Sequence, residues 1–353
     1  KWSGTIFQLI GDIERDAGQP GRARVMYEES LKLYQQIRAV AGDLTDTLQD
    51  VSQTLRRLAD LERNCGRLEQ ARPMYEEALQ LDRQIGKRLG DSAETLSSLS
   101  VSLHRLADLH RESGQLDLAR PLVEEAHKLI RQVCTEQPNS PDMLQAEFGS
   151  LYRLIRLERE AGRHEPALRL SRDALWLGRK LRALSGNNFI ALTALIESLV
   201  CIADLELDAG RPEQARPLYE EALSLDRLLP TEPSDPMSVL RIRSISLDRL
   251  ADLELAVGQT EKARCLYDKA RDLKVQIYAQ AGDNPDALRE ISISLERLAD
   301  LEVAADRLEH AVAHQLAALE PAANAEAHAH VRAIGDLERA LVAGEVAEDA
   351  ARH

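Results

Sequence analysis

The sequence predicts an all-α protein, a solenoid of antiparallel helix pairs with a 48-residue period. Three observations predict it. First, Leu58-Ala59-Asp60-Leu61-Glu62 recurs in phase at Ile10-Gly11-Asp12-Ile13-Glu14, Leu106-Ala107-Asp108-Leu109-His110, Leu154-Ile155-Arg156-Leu157-Glu158, Ile202-Ala203-Asp204-Leu205-Glu206, Leu250-Ala251-Asp252-Leu253-Glu254 and Leu298-Ala299-Asp300-Leu301-Glu302. A fixed period of this size is the mark of a repeat architecture. Second, a glycine follows each of the first six motifs in one phase, at Gly18, Gly66, Gly114, Gly162, Gly210 and Gly258. Third, Leu, Ala, Arg and Glu dominate while aromatic residues make up 3%, a helix-forming balance.

Taken in order, Thr5 to Ala17 reads as a first helix with Ile6, Leu9, Ile10 and Ile13 on one face. Gly18 ends it in a left-handed conformation that costs glycine nothing. A second helix follows each glycine, best seen at Ala71 to Leu81, where Ala71, Tyr75, Ala78 and Leu79 share a face. Pro73, Pro121 and Pro217 fall early in this helix. Connections between pairs fall in one phase too, at Ala41-Gly42-Asp43, Gly90-Asp91-Ser92 and their later counterparts, whose Asp and Ser residues are expected to cap the next helix. Residues 1–320 thus make about seven helix pairs. Residues 321–353 are Ala-rich and read as a terminal cap or a truncated eighth unit around Asp336.

The bulk chemistry excludes several functions. A net charge of −14 argues against nucleic acid and against an anionic membrane surface. No apolar run reaches the length of a membrane span. Cys65, Cys134, Cys201 and Cys265 lie far apart, with no Cys-x-x-Cys, and read as reduced and structural in a cytoplasmic compartment. The basic residues are mostly Arg, which points to a GC-rich bacterial source. The chain opens at Lys1 inside an expected helix and without Met, and so reads as an excised piece.

No phosphate loop, dinucleotide fingerprint or nucleophile elbow occurs. His310 and His314 lie four apart but lack a third ligand. The expectation is a non-enzyme without metal or cofactor.

The motif resembles the tetratricopeptide repeat family, whose pattern runs W-x2-L-G-x2-Y, A-x3-F, P. Unit two offers Leu55, Leu58, Ala59 and Glu62, then Ala71 and Tyr75. Two departures stand out: the first-helix Tyr is Glu (Glu14, Glu62, Glu206, Glu254, Glu302), and the closing Pro is Arg83 in unit two. The Ala-Arg-Pro-Leu-Tyr run at Ala215 to Tyr219 is similar to the long-helix subgroup typified by kinesin light chains. The resemblance implies a right-handed superhelix, with first helices lining a concave groove that takes a peptide or a partner helix.

By the same resemblance, the Asp column (Asp12, Asp60, Asp108, Asp204, Asp252, Asp300, Asp336) faces that groove as an acidic ladder for a partner. The competing reading is local pairing, because Arg57, Arg105, Arg249 and Arg297 lie three residues earlier on the same helices. Unit four breaks the pattern with Arg156 and Tyr152. Four residues before the Asp phase the groove side reads Arg56, His104, Tyr152, Val200, Asp248 and Glu296, and seven before it reads Gln53, Val101, Gly149, Glu197, Ile245 and Ile293. Val101, Tyr152 and Val200 form an expected apolar strip with Arg156 at its rim; burial against neighbouring units is the alternative. Trp176, on a second helix, is expected in the core.

The functional expectation is a non-catalytic interaction scaffold. The alternative is the sensor or regulatory segment of a larger bacterial protein, linked to an NTPase or protease.

Overall fold

A computed structural model describes residues 2–136, 138–229, 236–281 and 285–304. The expected cap at 321–353, with Asp336, His328 and His330, lies outside the described residues, as do Asp306, His310 and His314. The described residues form thirteen α-helices and no strand.

The chain divides into two compact units, with the boundary between Ser185 and Gly186. The first holds four pairs: α1 (Trp2–Asp16) with α2 (Pro20–Ala41), α3 (Thr45–Asn64) with α4 (Leu68–Leu89), α5 (Ala93–Glu112) with α6 (Leu116–Glu136), and α7 (Pro141–Glu160) with α8 (His164–Ser185). The second holds α9 (Phe189–Asp208) with α10 (Pro212–Asp226), α11 (Pro236–Ala256) with α12 (Thr260–Ala281), and α13 (Pro285–Ala304). Within each unit a helix packs mainly on the helices before and after it in sequence.

The turn glycines act as their phase predicts. Gly66 has φ +75°, and the Arg67 amide donates 2.9 Å back to the Glu62 carbonyl, closing a Schellman motif. Between pairs, capping is mixed. Ser92, Ser140 and Asn188 each accept an amide of the following helix. Asp43 does not cap α3; its carboxylate accepts from Arg38 Nε at 2.6 Å instead.

Small residues let the helices touch. Ala59, Ala71 and Ala126 are fully buried with Tyr75, Leu103 and Leu109 around them. Ala251, Ala263 and Tyr267 repeat the arrangement with Leu298 and Leu301. At Gly11 even a Cβ is too much, since it would lie 2.5 Å from the Tyr27 ring. Each fully buried leucine contributes about 2 kcal/mol of apolar transfer. Helix α1 has no described helix before it, and Ile6, Leu9, Ile10 and Ile13 stay on the surface, whereas Leu58 and Leu61, one period on, are buried.

Trp176 is not in the core: it is 61% exposed, and Lys180 Nζ sits 5.5 Å over its ring. The reason is its phase, which in other second helices carries Lys32, Gln80, Lys128 and Ser224. Cys134 and Cys201 are buried, but Cys265 is exposed and packs no core. No disulfide forms among the described cysteines, and burial pushes the Cys134 thiol up to about 11.

Candidate functional site

The Asp column is held by two partners that repeat with the period. The first is a tyrosine on the second helix of the same pair, which donates its hydroxyl: Tyr27 to Asp12 at 2.7 Å, Tyr75 to Asp60 at 2.5 Å, Tyr219 to Asp204 at 2.6 Å and Tyr267 to Asp252 at 2.5 Å. Burial, then the adjacent carboxylate, pushes each of these phenols well above its usual range, so they stay protonated donors.

The second partner is an arginine from the next first helix, 45 residues on. Arg57 reaches Asp12 at 3.3 Å, Arg105 reaches Asp60 at 3.5 Å and Arg153 reaches Asp108 at 3.3 Å. In the second unit Arg249 lies 3.5 Å from Asp204, and Arg297 lies 3.7 Å from Asp252. The expected pairing three residues apart on one helix is seen at Arg249 and Asp252, 3.5 Å apart. Arginine and aspartate therefore form a ladder that runs from helix to helix within each unit.

The first compact unit departs from this ladder at its third and fourth repeats, where the tyrosine column reads Val123 and Ser171. Asp108 loses its phenol donor and keeps Arg153. Arg156 stands in the Asp phase, half-buried in a narrow cleft with Asp108, Arg153 and Val123. Tyr152 is half-buried with its ring stacked on Phe148, centroids 6.3 Å apart.

The expected apolar strip does not assemble. His104 and Val200 are buried, at 8% and 9% exposure, and Asp204 is buried at 7%. His104 bonds Ser150 Oγ through Nε2 at 3.1 Å. The same phase holds Arg56 on Asp82 at 2.7 Å and Asp248 on Lys274 at 2.6 Å. These residues fill the seam between successive pairs and offer a partner nothing.

The cause is angular. At about 100° per residue, four residues back from the Asp turns a side chain about 40° one way, while seven back turns it about 20° the other. The second position is therefore the open one. Val101 is 42% exposed, Ile245 50% and Ile293 38%. Glu197 shares this phase but is an exception to it, half-buried, and desolvation raises its carboxyl to about 7. Of the expected site residues, Val101 and Asp300 are exposed; Asp60, Asp108, Tyr152, Arg156 and Asp252 are half-buried.

Sequence reasoning missed a second ladder. Of the glutamates that stand at the family's tyrosine, Glu14 is half-buried, while Glu62, Glu158, Glu206, Glu254 and Glu302 are all 5% exposed or less. Glu62 accepts from Arg24 on the preceding second helix and from Arg67 just past its own turn. Glu254 accepts from Arg216, and Glu206 from Arg211 at 2.5 Å. The signal was present: an arginine stands 38 residues before or five after each of the buried glutamates.

No helix among the described residues is long and apolar enough to cross a membrane. No group of three or more His, Cys, Asp or Glu that could hold a metal ion occurs among them.

With this geometry in hand, the comparisons are specific. Residues 50–132 match the family model for the tetratricopeptide repeat. That stretch is built of tetratricopeptide repeats. Among solved structures it is similar to BtubC (BKLC) from P. vanneervenii, with 18% identity over 75% of this chain and 94% of that one, and a TM-score of 0.55. It is similar to the apo form of RapI, with 11% identity over 90% and 97% and a TM-score of 0.57. It is also similar to a Rap protein complexed with Competence and Sporulation Factor, with 11% identity over 90% and 74% and a TM-score of 0.54. At these identities the likeness establishes the fold. No curated protein matches the sequence. The tetratricopeptide repeats here join the family's small-residue packing to a glutamate clamp and an Arg–Asp ladder, and repeats of this kind make scaffolds for protein interaction.

Proposed function

We propose that the chain is a non-catalytic scaffold that binds a protein or peptide on the open face of its first helices. The observation that carries this reading is the exposure of Val101, Ile245 and Ile293 at one phase of the repeat, where the adjoining apolar positions are buried. Two residue turns on, the same helix face bears the Asp and Arg ladder, so each exposed aliphatic residue is rimmed by fixed charges. Asp60, Asp108, Tyr152 and Arg156 belong to that rim in the first unit, and Asp252 and Asp300 in the second. His104, Val200 and Asp204 support it from beneath.

The Rap protein complexed with Competence and Sporulation Factor shows that a chain of similar fold holds a partner. Four cysteines without a disulfide among those described suit a reducing compartment, the cytoplasm.

The test is selection of binding peptides from a random library on the wild-type chain. Their affinities are then measured against the double variant Ile245→Asp, Ile293→Asp and against Val101→Asp. A loss of tenfold or more in either supports the open face. Peptides that bind every variant as tightly as the wild type place the site elsewhere and overturn the proposal.

A further inference from the structure

A second surface, formed by α10, α11 and α12, carries chemistry that the interaction face does not use. In the first unit the space between consecutive second helices is closed by an ion pair. Arg83 of α4 donates to both carboxylate oxygens of Glu125 of α6, at 3.1 and 2.8 Å. The partners stand 42 residues apart.

In the second unit the same register joins Arg227 to Lys269. Both are cations, both are exposed, and neither has a hydrogen bond or ion pair among the described residues. Like charges cannot close the space, and a cleft of about 690 Å³ stands open between them. That volume falls within the usual range of small-ligand sites, roughly 300 to 1,000 Å³.

The lining of the cleft is mixed in a particular way. Its floor is Leu223, Leu247, Leu250 and Leu266. Arg243 also lines it, at a phase that holds Val51, Leu99, Glu147, Leu195 and Ile291 in other repeats. Arg243 is neutralised, because its Nε donates to the buried carboxylate of Asp226 at 2.6 Å. Glu220 also lines the cleft and lies in weaker electrostatic contact with Arg216, whose hydrogen bonds go to Glu254. The cleft thus carries three cations, Arg227, Arg243 and Lys269, against the two carboxylates of Glu220 and Asp226, with Arg227 in electrostatic contact with Asp226 and Lys269 without a partner among the described residues, above an apolar floor. Helix α10 stops at Asp226 after 15 residues, against 22 in α4 and α12, which leaves Arg227 at the helix end beside the opening.

We infer that this cleft binds a small amphipathic anion, a carboxylate or sulfonate joined to an apolar chain or ring. The leucines receive the apolar body. Arg227 supplies a planar fork for two anionic oxygens, and Lys269 adds a point charge opposite.

Decanoate tests the inference on the full chain, by isothermal titration and by displacement of anilinonaphthalene sulfonate. The wild type is expected to bind decanoate with an affinity that weakens as salt rises, and decyltrimethylammonium is expected not to compete. Lys269→Glu recreates the opposite-charge pair seen at Arg83 and Glu125, so its helix content and melting are expected to hold. Its affinity for decanoate is expected to fall tenfold or more, as is that of Arg227→Ala. Undiminished binding by a folded Lys269→Glu variant, equal competition by the cationic surfactant, or no binding by the wild type would each overturn it.

Discussion

Arg163 donates its Nε to the buried carboxylate of Glu158 across 2.6 Å, from a position just past the turn that ends α7. Arg120 of α6, in the preceding pair, forms an ion pair with the same carboxylate from the other side, its Nε 3.1 Å from Oε1 without hydrogen-bond geometry and 2.9 Å from Glu124 on its own helix. One glutamate thus joins a helix end to the neighbouring repeat. The carboxylate is 2% exposed while the arginines keep an outlet to water, so two half-solvated cations share the desolvation of one anion. Hydrophobic packing alone lets repeats slide along their axes. A charge held from both sides fixes their register.

Truncation of this clamp is expected to be costly. Glu158→Ala leaves two arginines beside a buried void and should lower unfolding stability by about 3 kcal/mol. Urea denaturation followed by circular dichroism measures it. A loss below about 1 kcal/mol would show that the arginines simply turn to solvent.

Glu197 makes the opposite kind of prediction. Burial raises its folded-state pKa to about 7, above the roughly 4.3 of an unfolded glutamate. The folded chain therefore holds a proton that the unfolded chain has released, and stability is lost as pH rises through 7. Glu197→Gln removes that loss. It is expected to stabilise the protein by about 2 kcal/mol at pH 8.5 and to change little at pH 4. A gain of equal size at both pH values would assign the effect to packing and not to charge.

His104 titrates with the other sign. Burial, aided by Arg153, depresses its folded-state pKa to about 3, with Asp108 opposing. The unfolded histidine protonates near 6.5 and the folded one does not, so stability present above 6.5 is lost as pH falls toward 3. At pH 4.5 the loss amounts to about 2.5 kcal/mol. His104→Gln keeps a hydrogen-bonding group opposite Ser150 and is expected to flatten stability between pH 6.5 and 4.5. An unchanged slope would move the titration to another group.

The rhythm of this fold is legible because each turn glycine and each small packing residue acts within a few positions of its neighbours. The partners of the charged columns are not. Helical spacing pairs Arg57 with Asp60, three residues on, yet Arg57 reaches Asp12 in the repeat before. In a stacked repeat the same column of the next unit lies closer in space than much of the residue's own helix, so the relevant separations are 38, 42 and 45 residues. The exposure of Trp176 was legible by the same device, from the polar residues in its column. The burial of His104 and Val200 turns on the roughly 60° between two positions of one helix face, which periodicity alone resolves poorly.

Repeat three offers the most direct trial of the clamp, because it lacks one. His110 stands in the glutamate phase and bonds Gln115 through Nδ1 at 2.7 Å. Arg72, 38 residues earlier, has no anion there to meet. It turns to Glu69 on its own helix at 2.9 Å, and its buried Nε has no partner. His110→Glu would supply the missing anion, with Gln115 able to rotate and donate its amide. The variant is expected to gain about 1 kcal/mol at pH 7, since a half-buried charge is paired. The gain should vanish in the double variant with Arg72→Ala, and that cycle isolates the pair from any change in packing. A single variant less stable than the wild type would show that the surrounding seam has adapted to the imidazole, and that the clamp depends on more than its three charges.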